Sequence, residues 1–213
     1  MSAFIAGLDL GQASDFSALT IAERLIPPGE KHAHYLFRHV QRLPLGTPYP
    51  QVVSYVKEVI SRPPLSGQTT LAIDYCGVGK PVGDMFRLAH LPCSLYLIFV
   101  HGGNAVSRDG HMIGVPKRDL IAAAQVLLQD NRLKIAENMP DTATLTHELQ
   151  NYQVKIDPVT AHDSYAAWRE GAHDDLVFSV SLACWMGENV TEVAPPWGLD
   201  LSGLAKSSVW RPQ

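Results

Sequence analysis

The feature that most constrains this chain is the order of its apolar runs. Three short runs separated by tight turns come first, and only then does a helical spacing begin. Residues 4–10 are nearly all apolar and enter a Gly/Ser/Asp turn. Residues 17–25 form a second run, closed by Pro27, Pro28 and Gly29, and residues 35–41 alternate as a third. Strands joined so briefly pair as an antiparallel meander, because a parallel pair needs a crossover of about a dozen residues or more. Over residues 50–62, Val52, Val53, Val56, Val59 and Ile60 recur on one helix face, and Pro63 and Pro64 stop that helix.

From there strands and helices alternate. Residues 70–74 have a buried-strand pattern, and Gly77, Gly79 and Pro81 lead into a helix over 82–89. Residues 94–100 form a nearly all-apolar, central strand, and 101–114 read as a polar, Gly-rich connection. Pro116 opens a helix to about residue 129, a first-turn position that suits proline. A short strand at 133–135, a helix over 141–152 with Asp141 as N-cap, and a hairpin at 152–156 and 163–168 follow. The last helix starts at His173-Asp174-Asp175 and runs to about residue 186. Residues 1–190 are expected to form one α/β domain, and 191–213 an irregular tail. A meander leading into βαβ crossovers gives a mixed sheet with helices on both faces, the order of the ribonuclease H-like fold. Actin-like ATPases and polynucleotide-processing nucleases share that order, so it does not choose a function.

Composition narrows the partners. With 213 residues, 46% hydrophobic and 18% charged, the chain can fill one core. A net charge of −4 argues against a broad grip on nucleic-acid phosphates and leaves only a local basic patch for that purpose. Three widely spaced cysteines with no Cys-x-x-Cys read as free thiols in a reducing compartment. The N-terminus has no secretory pattern and the apolar runs are too short to span a bilayer, so no membrane partner is expected. The expected location is the cytoplasm of a bacterium or of a cell hosting a virus.

Chemistry concentrates in carboxylates. Asp9 lies near the end of an apolar strand in Gly7-Leu8-Asp9-Leu10-Gly11, where it loses hydration and needs a cation or donors. Asp74 repeats this after Leu71-Ala72-Ile73, at the carboxyl end of a strand, where α/β sheets gather ligands. Asp174 and Asp175 open a helix apolar on most sides. Each has a plain structural alternative, as a turn or helix-start residue. In a ribonuclease H-like sheet, however, the first strand, the fourth strand and the start of the final helix converge. Carboxylates meeting there need Mg²⁺ or Mn²⁺, which prefer oxygen ligands, and two such ions clamp the attacking and leaving oxygens of a phosphodiester. His173, next to the Asp pair, is a candidate to touch a metal-bound water or phosphate, with a place beside the helix cap as its alternative. Lys80, Lys117, Arg118 and Arg169, with Arg87, Arg108 and Lys155, are candidates for the DNA backbone. Trp168 and Tyr165 are candidates for base stacking, with packing as their alternative. His32 and His34 lack the partners of a zinc site.

The same residues resemble a known family. Residues 7–18, Gly7-Leu8-Asp9-Leu10-Gly11 onward, are similar to the first nuclease motif of the large terminase subunit of tailed bacteriophages. Ala72-Ile73-Asp74-Tyr75-Cys76-Gly77 resembles the second motif, Val115-Pro116-Lys117-Arg118-Asp119-Leu120 a further block, and Gly171-Ala172-His173-Asp174-Asp175-Leu176 the third catalytic motif. The resemblance implies a ribonuclease H-like nuclease that cuts concatemeric viral DNA. Asp9 would bridge two Mg²⁺ or Mn²⁺ ions, Asp74 would hold one, and one or both of Asp174 and Asp175 the other, with Asp15 as an auxiliary carboxylate. It also implies that the hairpin before the third motif gates the site. The implied partners are double-stranded DNA and a packaging ATPase, portal or small terminase subunit, in a phage or prophage setting. Gly77-Val78-Gly79-Lys80-Pro81 is not a phosphate loop, because Asp74 stands at the first glycine and Pro81 at the Ser/Thr position. The expectation is therefore a separately encoded or isolated nuclease domain without the family's ATPase. A Holliday-junction resolvase of the same fold, an actin-like ATPase and a catalytically silent binding domain are the alternatives.

Overall fold

The computed structural model describes residues 3–11, 15–77, 79–156, 163–167 and 173–189. Three antiparallel strands open it: β1 (Ala3–Asp9), β2 (Ala18–Leu25) and β3 (His34–Arg42). Next come α1 (Tyr49–Ile60), β4 (Thr69–Asp74), α2 (Gly79–Leu88) and β5 (Cys93–His101). β6 (Ser107–Asp109) and β7 (Met112–Pro116) follow, then α3 (Lys117–Gln129), β8 (Leu133–Ile135) and α4 (Thr142–Asn151). β9 (Tyr152–Ile156) and β10 (Asp163–Ala167) pair as a separate antiparallel hairpin before α5 (Asp175–Asn189). The main sheet has eight strands in the order β6-β7-β5-β4-β1-β2-β3-β8. β4 is parallel to β1, β5 to β4, β7 to β5 and β8 to β3, which gives the mixed sheet expected of a ribonuclease H-like chain.

Two-residue periodicity sorts the sheet's side chains between two cores. Phe4, Ala6 and Leu8 of β1 join Leu71 and Ile73 of β4 under α1 and α2. Ile5 of β1 and Ala72 of β4 point to the opposite face, with α3 and α5. Asp9 and Asp74 have the same parity as Ile5 and Ala72, so both belong to the α5 face.

α5 is buried on all sides from Asp175 to Gly187, the signature of a helix inside a core rather than on a surface. It crosses β1 at a glycine. A Cβ on Gly7 would come within 2.0 Å of the Ser179 carbonyl oxygen. Ser179 Oγ instead donates to the Gly7 carbonyl at 2.7 Å and lies 2.9 Å from Thr20 Oγ1. The polar atoms in this dry contact therefore satisfy one another.

Three expectations need correcting. The stretch 101–114 contains strand β6 and the start of β7, which extend the sheet at one edge. Gly110, at φ 57°, makes the turn between them. All three β6 residues are exposed, so no apolar alternation marks the strand. Asp141 precedes α4 but makes no side-chain cap; its Oδ2 accepts the Arg42 backbone N–H at 2.8 Å, fastening the end of β3 instead. The helix after β4 begins at Gly79, three residues before the apolar spacing begins at Val82. The three cysteines are free. No described helix is long and apolar enough to cross a membrane. Trp168, Arg169 and the tail 191–213 lie outside the described residues, as do the side chains of Lys80, Lys155 and Tyr165.

Candidate active site

The carboxyl ends of β1 and β4 set the site. Leu8 is level with Ile73 across the parallel pair, so Asp9 and Asp74 follow it on adjacent strands, about 4.8 Å apart in backbone spacing. Asp9 carries the cost of this crowding. Its carboxyl is held well above the usual carboxylate range by burial first, then by the negative charges of Asp74, Asp175 and Asp174, with Lys117 pulling the other way. Asp9 is thus the point on which the charges of the other three carboxylates bear. Asp74 is also raised, chiefly by burial, although its Oδ1 accepts the Cys76 backbone N–H at 2.8 Å and Lys117 opposes the shift.

The start of α5 supplies the third corner. The two acids there differ: Asp175 is buried at 5% exposure, while Asp174 is half-buried beside a cleft. That cleft, of about 210 Å³, is lined by Arg42, His147, Glu148, Asn151, His173 and Asp174, among others. Burial raises the Asp175 carboxyl, Arg42 and His173 lower it, and Asp174 and Asp15 add to the rise. Asp175 Oδ2 lies 3.2 Å from Arg42 Nη2 and 3.8 Å from His173 Nδ1, yet it accepts no hydrogen bond from the described residues. Asp15, His173 and Asp175 bring one ligand atom each within 4.8 Å of one another. Phe16 keeps His173 in place through an edge-on ring contact at 4.9 Å, and the Arg42 guanidinium lies 4.8 Å from the same Phe16 ring.

Two residues escape sequence reading. Arg42 ends β3 and Glu148 lies in α4, and the two side chains are ion-paired in the interior. Glu148 Oε2 also accepts the backbone N–H groups of Leu176 at 3.1 Å and Val177 at 3.0 Å. Those are orphan donors of the first turn of α5, so Glu148 caps that helix from 28 residues upstream. Burial pushes its carboxyl up to about 7, against the opposing pull of the Val177 N–H and Arg42. Glu148 thus takes the donors at Leu176 and Val177, and the plain alternative for Asp174 and Asp175 is left as their charge at the helix start rather than a side-chain cap. The only sequence signal was a Glu inside a helix also carrying Leu145 on its buried side.

The basic candidates divide. Lys117, first residue of α3, acts electrostatically on both Asp9 and Asp74, and its Nζ sits 5.4 Å over the Phe178 ring. Arg118 is exposed and 3.5 Å from Asp119. Arg87 pairs with Asp84 at 3.4 Å, and Arg108 donates to the Asn189 carbonyl at 3.0 Å. His34 pairs with Glu30 at 2.6 Å, apart from any metal-like group.

Among the described residues, Asp15, His173 and Asp175 are the group whose ligand atoms meet, two hard oxygen donors and one nitrogen, and Asp9, Asp74 and Asp174 add carboxylate oxygens around it. Such a set suits Mg²⁺ or Mn²⁺. Asp175 Oδ2 accepts no hydrogen bond from the described residues and has among them only the Arg42 guanidinium at 3.2 Å and His173 at 3.8 Å as cationic neighbours, which leaves room for a cation here.

No protein-family model matches the sequence, and no curated protein matches it in sequence. Solved structures do share its fold. The large terminase nuclease from thermophilic phage G20c superposes with a TM-score of 0.61 at 16% identity, covering 85% of this chain and 81% of that one. A variant nuclease domain of the large terminase subunit of bacterial virus Sf6, with manganese and beta-thujaplicinol, gives 0.62 at 13% identity over 85% and 87%. The human cytomegalovirus terminase nuclease domain, soaked with manganese, gives 0.53 at 10% identity over 89% and 85%. The chain therefore has the ribonuclease H-like fold of terminase nuclease domains.

Proposed function

We propose that the chain is a divalent-metal-dependent endonuclease that hydrolyses DNA phosphodiester bonds. One observation carries the reading: Asp9 and Asp74 end two adjacent parallel strands, and the charges of Asp174 and Asp175 at the start of α5 bear on the same buried Asp9 carboxyl. Carboxylates are gathered at such a cost where a cation is to be bound. Asp9 and Asp74 would hold one ion, and Asp9 with Asp175 or Asp174 a second. Bound there, the ions supply Lewis-acid activation of water and charge neutralisation at the phosphate.

The chain's own groups do the rest. His173 stands at the rim of the cluster, half-buried, where its imidazole can hold or pass a proton near the scissile phosphate. Lys117 contributes a fixed positive charge beside Asp9 and Asp74 and would meet a phosphate oxygen of the bound strand. Manganese in the solved Sf6 and cytomegalovirus domains is in keeping with this assignment, as is the resemblance of the motif blocks. The substrate in this reading is double-stranded DNA, cut as part of terminase-like processing alongside a packaging ATPase, portal or small subunit.

The test is digestion of supercoiled plasmid with Mn²⁺ or Mg²⁺. Nicking and linearisation are expected, and EDTA abolishes them. Asp9→Asn and Asp74→Asn each lower the rate by at least about 10²-fold while the proteins remain folded. Full activity in both variants would sink the reading.

A further inference from the structure

We propose that Arg42 and Glu148 form a positioning couple that tunes the hold of the carboxylate cluster on a divalent cation, Glu148 keeping the Arg42 guanidinium from closing fully on Asp175. The inference rests on the metal-site reading above. Both residues line the cleft beside Asp174, and both act on the cluster through Asp175.

The geometry separates two jobs on one carboxylate. Both backbone donors of α5, Leu176 N–H and Val177 N–H, bond to Glu148 Oε2. The other oxygen, Oε1, pairs with Arg42 Nη2. The same Nη2 lies 3.2 Å from Asp175 Oδ2, so a single guanidinium nitrogen is shared between two acids. Arg42 is otherwise held by the Phe16 ring, and its Nε makes no hydrogen bond to the described residues. All three charged side chains are largely removed from water, Arg42 at 15%, Glu148 at 4% and Asp175 at 7% side-chain exposure, so their mutual forces are weakly screened. Arg42 and a metal ion then compete for Asp175. Glu148 decides how much of the guanidinium's charge Asp175 receives.

A single amide substitution splits the two jobs. In Glu148→Gln the amide oxygen still accepts both α5 donors, and the helix start is kept. The amide nitrogen cannot accept from Arg42, so the guanidinium is left with Asp175 as its carboxylate partner. Removing Arg42 as well, in Arg42→Met with Glu148→Gln, takes away the competitor. Arg42→Met alone would leave Glu148 buried and unpaired, and it is not the informative variant.

The experiment is Mn²⁺ titration by calorimetry without DNA, with thermal melting in EDTA and cleavage measured against Mn²⁺ concentration. Glu148→Gln should melt near the wild type but bind Mn²⁺ about tenfold more weakly, the size seen when a ligand's supporting partner is removed. Half-saturating Mn²⁺ for cleavage should rise in proportion, with the rate at saturation largely kept. The double variant should recover most of the lost affinity. A purely structural cap, kept intact by the amide oxygen, predicts that both the melting temperature and Mn²⁺ binding stay at the wild-type values.

Glu148→Gln binding within about twofold of wild type, or a double variant no tighter than Glu148→Gln, overturns the proposal. If Glu148→Gln does not fold, the double variant decides: near-wild-type affinity upholds the couple, and a loss beyond about tenfold removes it. A wild type that binds Mn²⁺ but leaves DNA intact overturns the nuclease reading while the titration still judges the couple. A wild type that binds no Mn²⁺ overturns both.

Discussion

Asp9 is where stability and function pull apart. Its carboxyl titrates well above the ordinary range because burial and three neighbouring acids oppose its charge. Without metal, ionising this carboxyl is a burden on the folded state. Asp9→Asn should therefore raise the melting temperature of the metal-free protein by several degrees, taking about 2–4 °C per kcal/mol for a chain of this size, while abolishing cleavage. Calorimetric melts in EDTA check the first part and plasmid nicking the second; an unchanged or lower melting temperature would contradict the crowding. Asp9 and Asp74 were legible as sequence because each interrupts an apolar strand at its carboxyl end, a signal confined to a few adjacent residues. Arg42 and Glu148 were not, because their meaning lies in a contact across 106 positions. Arg42 reads as one more strand-end cation and Glu148 as one more helix-face acid until the fold brings them together.

At the scale of elements, α5 and β1 meet through Gly7. Adding one methyl there drives a Cβ against backbone, the Ser179 carbonyl, with no flexible side chain to yield. Gly7→Ala should cost about 1–3 kcal/mol or more in chemical denaturation and should weaken Mn²⁺ binding, because α5 opens with Asp175 and follows directly on Asp174. Glycine-to-alanine at Gly29, where nothing lies within 4 Å but φ is +87°, should cost stability through backbone strain alone and leave Mn²⁺ binding intact. The meander, the central strands and the helices were readable because their apolar periods are long and regular. β6 was not, being three exposed residues whose pairing with β7 is the only thing that makes them a strand. Asp141 also misled, since the residue type and position suit an N-cap, and a backbone N–H from another strand claimed it.

For the whole molecule, the acids act in one direction. Asp9, Asp74, Asp175 and Glu148 all have carboxyls raised in the folded state, Glu148 to about 7 from an ordinary 4.5. The folded protein thus binds these protons more tightly than the unfolded chain. Their contribution to stability is fully present below the ordinary carboxylate range and is lost as pH rises through the folded values, for Glu148 between about 4.5 and 7. Metal-free protein should melt at progressively lower temperature across that window. Mn²⁺ at about a hundred times its dissociation constant should return roughly 2.7 kcal/mol at a pH above it. Melting curves with and without EDTA at several pH values check both, and a metal-free protein that gains stability from pH 5 to 7 would contradict the assignment.

Glu148 and the first turn of α5 also enclose everything between them. The chain leaves at the end of α4, forms the β9–β10 hairpin and returns to within hydrogen-bonding distance of where it left. A segment fastened at its base in this way is topologically a detachable module. Its length enters the folding free energy through loop closure, about 0.6 kcal/mol per doubling, and the hairpin adds a contact of β10 with α3. Replacing residues 153–167 by a short Gly/Ser linker should therefore lower the melting temperature only by the loss of that contact and leave Mn²⁺ binding nearly unchanged. Hairpins of other sizes can be exchanged there with the carboxylate cluster left alone.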